Sequence, residues 1–149
     1  MIHVTQLPTQ KEVETKITDG IERFYEELFS VRPRHIQVNV LPHAVAIVTQ
    51  NNLTVAEQQV MRQGDGHHDA ARQMFKNMRA LIIFANRTLL VDIIEKATHV
   101  SVTCCHHDIS AVTGEEVFLF SLHAQPTYRR LGYVGFVERR MSTHNVVLN

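Results

Sequence analysis

Residues 101–122 read SVTCCHHDISAVTGEEVFLFSL, and this stretch decides the fold class. Its second half places Phe118, Phe120 and Leu122 at every second position. Alternation with a period of two is typical of a β-strand, because successive side chains point to opposite faces. Residues 111–114 contain a glycine and lie between two such runs, so the sequence predicts an antiparallel hairpin.

The first strand of this hairpin holds both cysteines of the chain and two adjacent histidines. Regular alternation predicts one face made of Val100, Val102, Cys104 and His106, and an opposite face made of Ser101, Thr103, Cys105 and His107. On this pattern Cys104 is a small buried side chain, and His106 and His107 are polar groups at the strand end. Asp108 then forms the turn through a hydrogen bond from its side chain.

A helix is indicated near the start of the chain. Thr9 and Glu12 have the spacing of a capping box, in which each side chain accepts from the other residue's backbone. Apolar residues then recur at helical spacing and define one buried stripe: Val13, Ile17, Ile21, Phe24 and Leu28. Pro33 limits the helix, since the residue before proline avoids the α region.

The middle of the chain predicts a second hairpin and more helix. Residues 35–41 and 44–49 alternate around a turn at Pro42 and His43. Thr54 and Glu57 repeat the capping box before a short helix to about residue 63. A long helix is expected over roughly residues 68–97, with a buried stripe of Ala71, Met74, Phe75, Met78, Ile82, Ala85, Leu89 and Ile93, widened by Leu81, Leu90 and Ile94.

The order helix, hairpin, helices, hairpin predicts an α+β domain over residues 1–122. It matches a circularly permuted ferredoxin-like pattern, with a four-stranded antiparallel sheet and the helices on one face. Because such a sheet leaves its other face uncovered, we expect a homodimer that covers it. Residues 123–149 form an extension in which arginines alternate with aromatic residues.

Composition excludes several classes of protein. The 15 lysines and arginines balance the 15 aspartates and glutamates, whereas a general nucleic-acid binder carries a basic surplus. The apolar run at residues 80–85 is far shorter than a membrane span of about 20 residues, so no direct membrane insertion is expected. Adjacent cysteines suit a reducing compartment, and the first residues lack the apolar core of a signal peptide. These features indicate a cytoplasmic protein.

The Cys and His residues leave two kinds of chemistry open. A ligand or metal site, with zinc as the candidate ion, would use the residues His67, His68, Cys105, His107 and Asp108. No second pair with matched ligand spacing accompanies them, so ordinary structural roles are the alternative. A thiol enzyme would use Cys105 with His107, but residues i and i+2 of a strand are roughly 7 Å apart at Cα.

The ordered motifs resemble the MpsC-like family, a bacterial domain named for a component of a sodium-translocating, membrane-potential-generating system. The resembling segments are LTVAE at 53–57, the start of the long helix from Gly66, RTLLVDIIE at 87–95 and HDISAVTGEEVFLF at 107–120. Together they cover roughly residues 10–122. The positions that match family motifs include Thr54, Glu57, Arg87, Asp108 and Gly114.

Two positions depart from the family pattern. The family usually has a glycine-rich turn where this chain has residues 30–33, and commonly has glycine where this chain has His99. The resemblance implies a non-enzymatic accessory domain linked to membrane systems for sodium-coupled potential and inorganic-carbon uptake. It therefore implies a transporter subunit as partner, a peripheral place at the membrane reached through that partner, and no catalytic residues.

Overall fold

The computed structural model describes residues 6–62 and 68–129, with the side chain of His68 left out. The helices are α1 (Gln10–Phe29), α2 (Val55–Arg62), α3 (His68–Ala85) and α4 (Arg87–Thr98). The strands are β1 (His35–Leu41), β2 (Ala44–Gln50), β3 (Val102–Ile109) and β4 (Glu116–Leu122). The chain is therefore an α+β protein, as predicted.

The four strands form one antiparallel sheet in the order β1-β2-β4-β3. This order confirms the permuted ferredoxin-like pattern, in which two hairpins meet through their second strands. α1 packs against β1 and α4, whereas α3 packs against β3 and α2. The inward-facing residues of β4 are buried with those of α1 and α4, so the helices cover one face of the sheet.

α1 follows its sequence signals closely. Thr9 and Glu12 form the predicted capping box, with the Glu12 backbone N–H donating to the Thr9 hydroxyl at 3.2 Å and the Thr9 N–H donating to the Glu12 carboxylate. Val13, Ile17 and Ile21 are at most 1% exposed and lie in the core. The apolar face of α1 is thus the face that the sheet covers.

The predicted long helix is in fact two helices, and the break at Asn86 was not foreseen. The Asn86 side-chain amide donates to the carbonyl of Ile82 at 2.9 Å, and its backbone N–H is shared between Ile82 and Ile83. Asparagine that hydrogen-bonds to backbone one turn earlier competes with regular helix geometry. Both helices contact β3, but α3 packs against α2 whereas α4 packs against α1.

The buried stripe predicted for the long helix was only partly correct. Met74 is 73% exposed and Met78 is 48% exposed, while Leu81 and Leu89 are exposed as well. Phe75 on α3 and Leu90 and Ile94 on α4 are buried as predicted, and Arg79, Ile83 and Ala97 also face the core of the domain. The inward face of α3 therefore carries an arginine, and its most apolar face points outward.

Strand β3 contains a bulge that shifts its two faces. Val102 pairs with Leu122 and Cys104 pairs with Ser121, which leaves Thr103 as an extra residue. Because an extra residue reverses the alternation beyond it, Val102 shares the inner face with Cys105 and not with Cys104. Cys104 is exposed, so its predicted role as a small buried side chain was wrong.

The turn between β3 and β4 uses different residues from those predicted. Asp108 lies within β3 and is not the turn-forming residue. The Ser110 hydroxyl accepts from the backbone N–H groups of Val112 and Thr113 at 3.3 and 3.2 Å. Gly114 adopts a positive φ of 73°, and a Cβ there would lie 2.7 Å from Leu53. The turn therefore needs glycine at this position.

Candidate functional site

A cluster of charged side chains lies where α2, α3 and β4 meet, and its centre is Glu116. Glu116 is fully buried at the start of β4, on the same face as Phe118 and Phe120. Arg79, also fully buried, donates to it from Nε to Oε1 at 3.2 Å and from Nη2 to Oε2 at 3.2 Å. This two-point contact fixes the guanidinium plane relative to the sheet.

Glu57 supplies a second carboxylate to Arg79. Its Oε1 accepts from Arg79 Nη1 at 2.9 Å, while its Oε2 accepts from the backbone N–H of Thr54 at 2.8 Å. The same side chain thus completes the predicted capping box of α2 and ties that helix to α3. Arg79 Nη2 also donates to the backbone carbonyl of Asn52 at 3.0 Å.

Polar residues from α1 and from the segment after β2 complete the surroundings of Glu116. The Tyr25 hydroxyl and the Asn52 side-chain amide both donate to Glu116 Oε2. The Asn52 amide also donates to Thr49 Oγ1 at 3.0 Å. The Arg79 guanidinium lies 3.7 Å from the ring centre of Phe29, so one face of the cation rests on an aromatic ring.

His107 closes the cluster on the side of β3. Its Nε2 lies 2.6 Å from Glu116 Oε1, and its ring lies 4.9 Å from that of Phe118. Burial by itself would raise the pKa of Glu116, but the hydrogen bond from His107 and the charge of Arg79 hold that pKa below its ordinary value. Glu116 is therefore an acceptor, and His107 donates through Nε2.

The other pKa shifts in the cluster follow from the same contacts. Burial raises the pKa of Tyr25 well above its ordinary value, and the neighbouring Glu116 carboxylate adds to that effect. Burial works against the charge of Arg79, but the carboxylates of Glu116 and Glu57 more than compensate, so its pKa is raised. Tyr25 is thus a neutral hydrogen-bond donor and Arg79 a permanent cation.

A surface groove of about 680 Å³ lies beside the cluster, between α3 and β3. Its lining residues are Asn77, Ala80, Leu81, Ile83, Phe84, Arg87, Cys105 and His107. His107 belongs to both features, since one part of its ring lines the groove while Nε2 contacts Glu116. The Arg87 guanidinium lies 5.7 Å from the ring centre of Phe84 and contributes a positive charge to the lining.

The predicted site residues are only partly brought together. Cys105 and His107 share the groove, but Asp108 is exposed on the other face of β3, where it pairs with Lys76 at 3.0 Å. His67 and the His68 side chain lie outside the described residues. Within residues 6–62 and 68–129, no group of three or more Cys, His, Asp and Glu side chains is placed to hold a metal ion.

The cysteines have different surroundings from those expected. Burial raises the pKa of the Cys105 thiol, which keeps it protonated and disfavours its use as a nucleophile. The Cys104 and His106 side chains meet on the outer face of β3, with Sγ and Nε2 3.2 Å apart. Side chains two residues apart therefore do reach each other, but on the exposed face of the sheet.

Sequence reasoning missed the cluster itself, although both of its central residues had a signal. Glu116 stands two residues before Phe118, so strand alternation places it on the buried face. Arg79 lies four residues from both Phe75 and Ile83, which places it on their side of α3. A charged residue at each of two buried positions is the pattern that indicates an internal ion pair.

The motif positions of the predicted family have clear places in this geometry. Thr54 and Glu57 hold the start of α2, Arg87 lines the groove and Gly114 forms the turn. A family model described as Na+-translocating membrane potential-generating system (MpsC) matches residues 9–124. The chain belongs to the MpsC family. Comparisons with curated proteins and with solved structures gave no match.

The two departures noted in the sequence both lie at the C-terminal ends of helices. Ser30 and His99 are the C-cap residues of α1 and α4, and both have positive φ angles, 53° and 57°. Glycine is the residue that adopts this conformation without a steric cost. The MpsC domain described here therefore uses non-glycine residues at two positions where the backbone favours glycine.

Among the described helices, none is long and apolar enough to cross a bilayer.

Proposed function

We propose that this MpsC domain is a non-enzymatic accessory or regulatory module of a Na+-translocating membrane potential-generating system. The observation that carries the proposal is the family match over residues 9–124. In this proposal the protein is cytoplasmic and reaches the membrane by binding a transporter subunit. Coupling to inorganic-carbon uptake is part of the same proposal.

The structural role of the buried charged residues favours a binding function over a catalytic one. Arg79, Glu57 and Glu116 satisfy one another and hold three elements together, so these ionised groups serve the fold. Cys105, which lines the groove, has a pKa raised by burial, the opposite of the shift that activates a nucleophilic thiol. The groove beside the cluster and the exposed apolar side chains of α3 are surface features suited to binding.

The test is made in cells of the source organism that lack this chain. We expect the Na+-dependent part of the membrane potential, measured with a voltage-sensitive dye, to fall and to recover when the wild-type chain is restored. Uptake of labelled bicarbonate tests the link to inorganic carbon. An unchanged Na+-dependent potential in the deletion strain would contradict the proposed system.

A conservative variant separates the accessory role from a thiol enzyme. Cys105→Ser keeps the shape of the groove but removes the thiol, so a binding module restores the potential as well as the wild type does. Cys104→Ser, on the exposed face of the same strand, is the matched control. Loss of function confined to Cys105→Ser would favour the enzyme.

A second candidate function is a sensor that binds a small ligand in the groove. The observation in its favour is that Cys105, His107 and Arg87 line one groove of a size suited to small molecules. Because the charge in its lining is positive and most other lining residues are apolar, the expected ligand is a small carboxylate with an apolar body. Thermal-shift measurements with benzoate and short fatty acids test this, with Arg87→Ala expected to abolish a shift that Arg32→Ala leaves unchanged.

Zinc is the other ligand that the Cys and His residues suggest. Elemental analysis of untagged protein checks it, because a structural zinc site binds tightly enough to survive mild purification. If zinc is present, Cys105→Ser should reduce its content and Cys104→Ser should not.

A further inference from the structure

The outward side of α3 carries a row of apolar side chains. Met74, Met78 and Leu81 recur at intervals of four and three residues, which places them on one side of the helix, and Phe84 lies beside them. Their exposed fractions are 73%, 48%, 68% and 70%. We call these four residues the α3 face.

The area of the α3 face exceeds what scattered surface residues provide. At roughly 200 Å² for a whole large side chain, its exposed parts amount to on the order of 500 Å². A patch of this size is comparable with the largest apolar patch of a typical monomer, which is often a binding site. If two such faces met, they would bury about 1,000 Å² in total, which reaches the lower limit of a specific interface.

The scarcity of free charges along α3 favours a partner whose surface is also uncharged. Between residues 73 and 86 the charged residues are Lys76 and Arg79. Lys76 pairs with Asp108 on β3, and Arg79 is buried with Glu57 and Glu116. Arg87, at the start of α4, places a positive charge beside Phe84 at one end of the α3 face. The rest of the face, Met74, Met78 and Leu81, offers no charge for an acidic or basic partner to match, whereas two copies of it match each other.

The chain's own C-terminal residues begin on the other side of the molecule. Arg129, the last residue described, donates its backbone N–H to the carbonyl of Pro8, just before α1. α1 lies over β1 and α3 lies over β3, at opposite edges of the sheet. This position favours a second copy over residues 130–149 as the occupant of the α3 face.

From these observations we propose that the α3 face is the contact between two copies of this chain, related by a two-fold axis. The contact differs from the predicted one, because the two helices meet and the outer face of the sheet stays open. That outer face is less suited to the role, since Val117 and Leu119 are about 40% exposed and their β3 neighbours are the polar residues His106 and Asp108. The proposal does not depend on the proposed membrane system.

The test measures the mass of the full chain by sedimentation equilibrium over two decades of concentration in the micromolar range. The wild type should approach twice 17.1 kDa as the concentration rises. Leu81→Glu and Met74→Glu each place a charge in the contact, so each should weaken the dimer about tenfold or more. Circular dichroism confirms that each variant is folded, and the use of two positions guards against an unfolded variant.

The matched control is Leu41→Glu, an exposed leucine on β1 at the other edge of the sheet. It should leave the dimer unchanged. A wild type that stays monomeric at all concentrations would overturn the proposal, whether the α3 face is then covered by residues 130–149 or by another protein. A dimer that Leu41→Glu dissociates and Leu81→Glu does not would overturn it in favour of the sheet.

Discussion

Helices α1 and α3 both carry an apolar stripe in their sequences, yet they turn it in opposite directions. The stripe of α1 is buried against the sheet, with Ile17 and Ile21 at 0% exposure. The stripe of α3 is largely exposed, and the helix buries Arg79 in its place. Helical periodicity therefore shows that a stripe exists, but not what covers it.

The reason for the difference lies outside both helices. α1 carries no buried charge, so burial of its apolar stripe and one hydrogen bond from Tyr25 to Glu116 decide its orientation. α3 must point Arg79 at Glu116 and Glu57, since a buried carboxylate without a partner is costly. That requirement outweighs the burial of two methionines, and it leaves the α3 face available for another protein surface.

Removal of Arg79 should give the largest effect. Arg79→Ala leaves Glu116 buried without its cation, and we expect the free energy of unfolding to fall by about 3–5 kcal/mol. Urea denaturation measures the change. Arg32→Ala, which breaks exposed pairs with Glu22 and Glu26, should change stability far less. If the two variants lost similar stability, the cluster would not be what orients α3.

Truncation of one apolar residue on each helix tests the comparison directly. Ile21→Ala on α1 removes buried methyl groups and should cost about 2–5 kcal/mol. Leu81→Ala on α3 should change stability by no more than about 0.5 kcal/mol at concentrations where the chain is monomeric. A large loss from Leu81→Ala in the monomer would mean that the α3 face is covered within one chain.

Acid should lower the stability that the buried cluster gives to the domain. The pKa of Glu116 in the folded protein lies below its ordinary value of 4.5. The ionised form thus contributes stability that is fully present above pH 4.5 and is lost as the pH falls through the lower folded pKa. Urea midpoints between pH 3 and pH 6 measure this loss, and Glu116→Gln should show a flatter dependence on pH than the wild type.

If Glu116→Gln lost stability on acidification as steeply as the wild type, other carboxylates would be responsible for the acid sensitivity. Tyr25→Phe provides an independent check on the same cluster, because it deletes one donor to Glu116 and leaves the ion pair in place. We expect it to cost about 1–3 kcal/mol in urea denaturation at neutral pH.

The helix ends should give the smallest effect. Ser30 ends α1 and His99 ends α4, each in a left-handed conformation that carries a steric cost for residues with a Cβ. Ser30→Gly and His99→Gly should each stabilise the protein by about 0.5 kcal/mol, seen as a small rise in Tm. A loss of stability from either change would indicate that the side chain makes contacts worth more than the relief of strain.

Much of the fold was predictable because its signals are local. The two capping boxes, the hairpin turns and the alternation of Phe118 and Phe120 each depend on residues within a few positions of one another. The break at Asn86 and the bulge at Thr103 escaped prediction, since each is a small departure from regular geometry. Of the candidate site, the sequence singled out Cys105 and His107 as ligand candidates and Glu57 and Arg87 as family-motif positions, but neither Arg79 nor Glu116.

The sequence alone determined the element order, the helix starts, the α+β class and the family, because short-range hydrogen bonds and hydrophobic periodicity specify them. Only the tertiary structure decided which side of α3 faces inward and which residues form the buried cluster. The partners of Arg79 lie 22 and 37 residues away in the chain. Contacts between residues so far apart depend on how the helices and sheet pack, and no local pattern records which distant charges will meet.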